Sequence, residues 1–286
     1  MITVHSVKAL REQVANARKQ GKVIGFVPTM GNLHEGHISL INRAKADSDF
    51  VVCSIFVNPL QFNDKADLER YPRTLAADTE KLTAAGCDLL FAPDVNEMYP
   101  NGQDHHCTVH VPDVSEGLCG GSRPGHFDGV ATVVSKLFNM VQADIGFFGQ
   151  KDFQQVAVIR KMVSDLNLPI QIVSVPTMRA EDGLALSSRN GYLSNEERAL
   201  ATGLFQTLNE IAADFEAGKN LNDSLTDATK RLNNRGFKTD YLEVRRAQDL
   251  KPATLADSHI VILGAAFLSN ARLIDNIELV LNRRND

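Results

Sequence analysis

Two histidines, His34 and His37, flank Gly36 directly after an apolar run and the turn Pro28-Thr29-Met30-Gly31-Asn32-Leu33. Side chains three residues apart share one face where a helix begins, and a helix N-terminus offers unpaired N–H groups and the positive end of its dipole. That combination attracts phosphate. Two ring N–H donors beside it can stabilise the charge that grows on phosphate oxygens as pyrophosphate departs, which is the requirement of nucleotidyl transfer. Gly36 also lets the backbone approach a ligand closely. A zinc-protease reading fails, because His-Glu-x-x-His needs its histidines four apart and here the second arrives at three. Read singly, either histidine is an ordinary turn or helix-start residue. The whole Thr-x-Gly-x-x-His-x-Gly-His context after an apolar strand carries the functional reading.

Other phosphate devices are missing. There is no Gly-x-x-x-x-Gly-Lys-[Ser/Thr] loop, and no Gly-x-Gly-x-x-Gly follows the first apolar strand. A second charged position, Lys151-Asp152, follows the apolar run Asp144–Phe148 and opens a helical pattern. That is the carboxyl end of a strand, where ligands of open parallel sheets bind. His105-His106-Cys107 invites a metal, but adjacent side chains rarely converge on one tetrahedral centre, so a structural loop is expected there.

The elements that must position these groups are legible as alternating patterns. An opening strand and amphipathic helix are followed by apolar runs at Val23–Val27, Phe50–Val57, Asp88–Phe91, Asp144–Phe148 and Ile170–Val175, most of them followed by a helical pattern. Continuous rather than alternating apolarity, as in Val51-Val52-Cys53-Ser54-Ile55-Phe56-Val57, marks strands covered on both faces. The expected fold is α/β, a doubly wound, Rossmann-like parallel sheet. After Pro176 the texture changes. A helix from about Asn195 to Phe215, a second at Leu221–Asn234 and strands at Lys238–Arg245, His259–Leu268 and Arg272–Glu278 predict a smaller α+β domain. Two domains are therefore expected, 1–175 for nucleotide and substrate binding and 176–286 as a small lid.

Composition narrows the partners. A net charge of −5 argues against nucleic acid, and no run is long and apolar enough for a signal peptide or membrane span. The four cysteines, Cys53, Cys87, Cys107 and Cys119, are irregularly spaced with no Cys-x-x-Cys, so a reducing, cytoplasmic address is expected.

His34-Glu35-Gly36-His37 resembles the His-x-Gly-His signature of the nucleotidyltransferase superfamily that includes class I aminoacyl-tRNA synthetases. Within it, six further blocks resemble the pantothenate synthetase family: Pro28-Thr29-Met30-Gly31, Phe56-Val57-Asn58-Pro59-Leu60-Gln61-Phe62, Tyr71-Pro72-Arg73-Thr74, Arg123-Pro124-Gly125-His126-Phe127-Asp128-Gly129-Val130, Phe148-Gly149-Gln150-Lys151-Asp152 and Leu186-Ser187-Ser188-Arg189-Asn190. They stand in family order across roughly residues 20 to 195.

The resemblance implies an ATP-dependent ligase of pantothenate and coenzyme A biosynthesis. Pantoate and ATP would give pantoyl adenylate and pyrophosphate, and β-alanine would then displace AMP to form the amide. It further implies a homodimer and Mg²⁺ as the companion of ATP. By motif match, His34, His37 and Lys151 would be catalytic, and Met30, Gly31, Asn32, Leu33, Glu35, Gly36, Gly149, Gln150, Met178 and Leu186 would line the ATP site. Ser187, Ser188 and Arg189 would form a mobile loop closing over the triphosphate, and Asp152 would hold the metal through ATP oxygens and water. Asn58, Gln61 and Gln155 bring neutral amides, suited to pantoate's hydroxyls and carboxylate. Two positions depart from the family pattern, where Gln150 stands for Glu and Leu186 for Met. Neither removes an assigned catalytic group. The alternatives are a different nucleotidyl transferase of the same fold that adds adenylate to a phosphate ester, and a non-catalytic nucleotide- or RNA-binding module suggested only by the histidine pair.

Overall fold

The computed structural model describes residues 1–281 of the chain. The chain folds as two compact units. The first is Met1–Gln150 with Val158–Pro176, and the second is Lys151–Ala157 with the chain from Thr177 on. The short segment 151–157, which the expected division at 175 kept with the sheet, groups with the C-terminal unit.

The first unit is built on six parallel strands: β1 (Ile2–Val4), β2 (Ile24–Thr29), β3 (Phe50–Ile55), β4 (Leu89–Phe91), β5 (Ile145–Gly149) and β6 (Gln171–Val175), in the order β1-β4-β3-β2-β5-β6. The apolar runs fold as strands because both faces are covered: Phe26, Val51, Val52, Leu89, Leu90, Phe91 and Phe147 are fully buried. Each such side chain contributes about 1.5–3 kcal/mol by leaving water. Strands β2, β3 and β4 run outward in one direction and β5 and β6 in the other, so the winding reverses between β2 and β5. This is the switch point at which open α/β sheets bind ligands.

At this switch point the two central strands part. β2 pairs with β3 along its whole length, from Ile24 to Thr29, but with β5 only at Gly25 and Phe26. Beyond Phe26 the ladder stops, and the carboxyl ends of β2 and β5 are not joined by backbone hydrogen bonds.

The second unit contains three antiparallel strands, β7 (Lys238–Arg246), β8 (His259–Leu268) and β9 (Ala271–Val280), in the order β7-β8-β9. Helices Gly203–Glu216 and Leu221–Asn234 bury Leu204, Leu208, Ile211, Phe215, Ala228 and Leu232 in one core with Ile260, Ile262 and Ala266 of β8. The single helix expected over Asn195 to Phe215 is two, Asn195–Leu200 and Gly203–Glu216. Gly203 packs where a Cβ would lie 3.1 Å from the Phe237 ring, and the chain turns at Ala201-Thr202 just before it. Apolar periodicity continues across that break, and the pattern alone does not reveal it. Among the described residues, no helix is long and apolar enough to cross a membrane.

Candidate active site

At the carboxyl end of β2 the chain turns through Gly31 at φ +81° and Asn32 at φ +49°, both left-handed, before entering the helix Glu35–Asp47. Glycine adopts that conformation without penalty and asparagine tolerates it. The turn is tied down by Asp78, only 1% exposed, whose carboxylate accepts from the backbone N–H of Asn32 at 2.9 Å and of Leu33 at 2.8 Å, and from the Thr74 hydroxyl at 3.0 Å. Lys81 adds a bond from Nζ to the Leu33 carbonyl at 2.6 Å. Both come from the helix Leu75–Ala84, so one helix fixes the approach to another.

The two histidines cap their own helix reciprocally. His34 Nδ1 accepts from the Gly36 N–H at 3.1 Å, and His37 Nδ1 accepts from the His34 N–H at 3.3 Å. A ring nitrogen that accepts from an amide carries no proton, so in each neutral imidazole the proton sits on Nε2. The capping geometry thereby makes Nε2 the donor end of both rings, whose centroids lie 4.2 Å apart. In a capping box the N3 position is ordinarily Glu or Gln. Here His37 takes that place and adds a donor where a carboxylate would have repelled phosphate.

Asn58 and Gln61 bracket the 3-10 helix Pro59–Gln61 and are buried, 1% and 9% exposed. Asn58 Nδ2 donates to Gln61 Oε1 at 3.2 Å and to the Gly129 carbonyl at 3.1 Å. The Gln61 carbonyl is held by Arg123 Nη2 at 3.1 Å and lies 2.7 Å from His126 Nδ1. Gln61 Nε2 reaches the Met30 sulfur at 3.1 Å, which brings together a glutamine expected to bind substrate and a methionine expected to line the ATP site.

Gly129 lies inside the helix His126–Val141, where alanine would ordinarily be better by about 0.5–1 kcal/mol. A Cβ here, however, would lie 2.4 Å from the Leu60 oxygen and 2.8 Å from the Gln61 nitrogen, both rigid backbone. Gly129→Ala is therefore expected to destabilise by about 1–3 kcal/mol, reversing the sign that propensity gives. Chemical denaturation measures it, and an equal or raised stability would show that the turn can move aside.

The second unit carries Lys151, Asp152, Gln155, Met178, Leu186, Ser187, Ser188 and Arg189. Lys151 Nζ lies 3.6 Å from Asp152 Oδ2, with the Lys151 side chain 18% exposed and that of Asp152 46%. The Lys151 carbonyl accepts from Asn276 Nδ2 at 2.9 Å. Next to Asn276 on β9, buried Asp275 takes both arms of Arg179, at 2.6 and 2.9 Å, and the guanidinium carbon sits 3.8 Å over the Phe205 ring. Such a two-pronged, stacked arrangement suits arginine and not lysine. Gln155, half-buried, lies in the helix Phe153–Asp165.

Arg179 also starts a small hairpin. It bridges Ala185, and the Leu186 N–H donates to the Met178 carbonyl at 2.9 Å. Ser187 then caps the 3-10 helix Ser188–Tyr192 by accepting from the Arg189 N–H at 3.2 Å. The polar stretch that carries Ser187, Ser188 and Arg189 is thus a hydrogen-bonded hairpin and turn. Met178 is 43% exposed and is not a core residue. Gly149 and Gln150 end β5 in the first unit.

Sequence reasoning missed Asp78, Arg179 and Asp275. Asp78 stands four positions beyond the Tyr71-Pro72-Arg73-Thr74 block, on a helix with no sequence signal for the turn it serves. A carboxylate on the inner face of an otherwise amphipathic helix was the available hint.

The pantoate-beta-alanine ligase family model matches residues 2–278. A pantothenate synthetase of Pseudomonas fluorescens strain Pf0-1 is 62% identical over 99% of both chains, and one of Stutzerimonas stutzeri strain A1501 is 62% identical over 97% of both. Among solved structures, pantothenate synthetase from Thermus thermophilus superposes with a TM-score of 0.90 at 44% identity, covering 97% of this chain and 99% of that one. The Francisella tularensis pantoate-beta-alanine ligase, complexed with beta-gamma ATP and beta-alanine, gives 0.82 at 35% identity over 97% of each chain.

Proposed function

The chain belongs to the pantoate-beta-alanine ligase family and is an ATP-dependent ligase of that kind; we propose the following division of its residues over the two half-reactions. In the first, the pantoate carboxylate attacks the α-phosphorus of ATP, giving pantoyl adenylate and pyrophosphate. In the second, the β-alanine amine attacks the acyl carbon and AMP leaves.

The observation that carries this assignment is the reciprocal cap of His34 and His37, which fixes both Nε2–H groups as donors at a helix N-terminus. Donors held in place before the reaction need no reorganisation as charge builds on the departing pyrophosphate. Met30, Gly31, Asn32, Leu33, Glu35 and Gly36 shape that approach, with Gly149 and Gln150 at the end of β5. Lys151 supplies a fixed cation, Ser187, Ser188 and Arg189 hydroxyl and guanidinium donors to phosphate, and Met178 and Leu186 adenine contacts. Asn58, Gln61 and Gln155 take pantoate.

Mg²⁺ fits Asp152 as a single, half-exposed carboxylate. Among the described residues no group of three or more His, Cys, Asp or Glu could hold a metal, which suits an ion held mainly by nucleotide oxygens and water. When bound, the ion neutralises phosphate charge.

A cytoplasmic address is proposed from the cysteines, none of which forms a disulfide among the described residues, with burial pushing the Cys87 thiol up to about 11. The homodimer rests on the family resemblance, and the mass in solution checks it.

The test is to incubate the protein with ATP, Mg²⁺, pantoate and β-alanine. Equal amounts of AMP, pyrophosphate and pantothenate are expected. A nucleotide-containing product with no amide would instead indicate transfer of adenylate to another acceptor.

A further inference from the structure

We propose that Tyr99 is a positioning residue for the substrate acid: through Asn58 it holds the Gln61 side chain with its N–H₂ end, and not its oxygen, toward pantoate. The inference rests on the reading of Asn58 and Gln61 as pantoate contacts and adds to it the sense of the hydrogen bond.

The Gly129 carbonyl can only accept. It lies 3.1 Å from the Asn58 amide, so the atom facing it must be Nδ2. Asn58 Oδ1 is then turned the other way, to the Tyr99 hydroxyl at 2.8 Å, and since Oδ1 has no proton the phenol must donate. The Leu60 N–H also points to Oδ1, at 3.4 Å, which agrees with an oxygen there. The second Asn58 Nδ2 hydrogen goes to Gln61 at 3.2 Å, which requires Oε1 on that side. Gln61 Nε2 is left as the outer end, against the Met30 sulfur at 3.1 Å. A thioether is a weak acceptor, so a carboxylate or hydroxyl oxygen of the substrate would displace it readily.

Tyr99 is equipped for this role. It is 3% exposed, its ring lies 6.2 Å from that of Phe56, and Lys136 Nζ sits 5.3 Å from its ring centroid. Burial pushes the phenol further above its ordinary range, so the proton it donates is retained throughout the working pH range. Without that proton the Asn58 amide keeps the Gly129 carbonyl and the longer Leu60 N–H bond but loses the shortest of its three orienting contacts, and Gln61 is held less firmly in one sense. A substrate oxygen would then meet Gln61 Oε1 part of the time, a repulsive contact.

Tyr99→Phe removes the hydroxyl and nothing else. Steady-state kinetics are compared for the wild type, Tyr99→Phe and Gln61→Ala, varying pantoate and ATP separately, with melting curves alongside. The pantoate KM of Tyr99→Phe is expected to rise roughly ten-fold, the scale of one lost buried hydrogen bond, with the ATP KM unchanged. Gln61→Ala should raise the pantoate KM at least as much. If Gln61→Ala raises it and Tyr99→Phe does not, the relay is wrong while the pantoate reading stands. If neither moves it, the pantoate reading itself fails. A Tyr99→Phe enzyme that loses pantoate and ATP binding alike, in step with its melting temperature, marks Tyr99 as merely structural. Should that variant not fold, the wild type decides: adding pantoate must shift the Gln61 side-chain amide resonances, and an unmoved signal overturns the assignment.

Discussion

His37→Ala is expected to slow adenylate formation by about 10²–10³-fold, the usual effect of deleting one prepositioned donor to a charge that develops in the transition state. Its effect on the fold is expected to be small. His37 is half-buried, and its contacts include the bond its Nδ1 accepts from the His34 N–H and the ring of His34 at 4.2 Å. Losing that half of a capping box costs about 0.5–2 kcal/mol. In a chain of this size that lowers the melting temperature by only a few degrees, at about 2–4 °C per kcal/mol. His37→Gln serves as the control, because glutamine can restore the cap through its side-chain oxygen but cannot place a ring N–H in the same direction. Stability should recover in that variant while the rate stays low. A rate that recovers together with the melting temperature would reduce His37 to a helix cap.

Asp78→Ala is expected to act on both stability and rate. The carboxylate satisfies the Asn32 and Leu33 amides and the Thr74 hydroxyl in a place 1% exposed to solvent. Removing it strands buried donors, at about 1–3 kcal/mol each, so a total of roughly 3 kcal/mol or more is expected. That corresponds to a fall of about 6–12 °C in melting temperature. The bonds that Asp78 accepts from the Asn32 and Leu33 amides tie down the turn in which Gly31 and Asn32 are left-handed, just ahead of His34, so the surviving folded enzyme should bind ATP more weakly. Asp78→Asn discriminates further. Its single oxygen can serve one of the two amides, while its N–H₂ faces the other, so an intermediate loss is expected. A melting temperature for Asp78→Ala within about a degree of wild type would show that the turn holds itself, an outcome at odds with the cost of unmet buried donors.

The sheet was legible in the sequence because a strand buried on both faces writes itself as an uninterrupted apolar run, and β2, β3, β5 and β6 fall where those runs lie. The turn after β2 was legible because its residue types are dictated locally, by backbone conformation at Gly31 and by spacing at His34 and His37. What stayed hidden is what depends on distant partners. Asp78 lies 46 positions from Asn32, Tyr99 lies 41 from Asn58 and Asp275 lies 96 from Arg179, and no local pattern joins members of such pairs. The grouping of Lys151–Ala157 with the C-terminal unit has the same origin, since the Lys151 carbonyl is held by Asn276, 125 positions away. The break at Ala201-Thr202 is hidden for another reason, because apolar residues keep helical spacing on both sides of it. Sequence patterns thus located the histidines and the amides, and the structure supplied what holds each of them in a fixed direction.

Activation of a carboxylic acid as its adenylate, with the histidine pair serving the departing pyrophosphate, is the proposal on which the residue roles depend. Exchange of labelled pyrophosphate into ATP, measured with pantoate present and β-alanine absent, isolates that half-reaction. The wild type should support exchange that requires pantoate, and His37→Ala should lose about 10²–10³-fold of it while remaining folded. Exchange that proceeds without pantoate, or that survives in His37→Ala at the wild-type rate, would contradict the account.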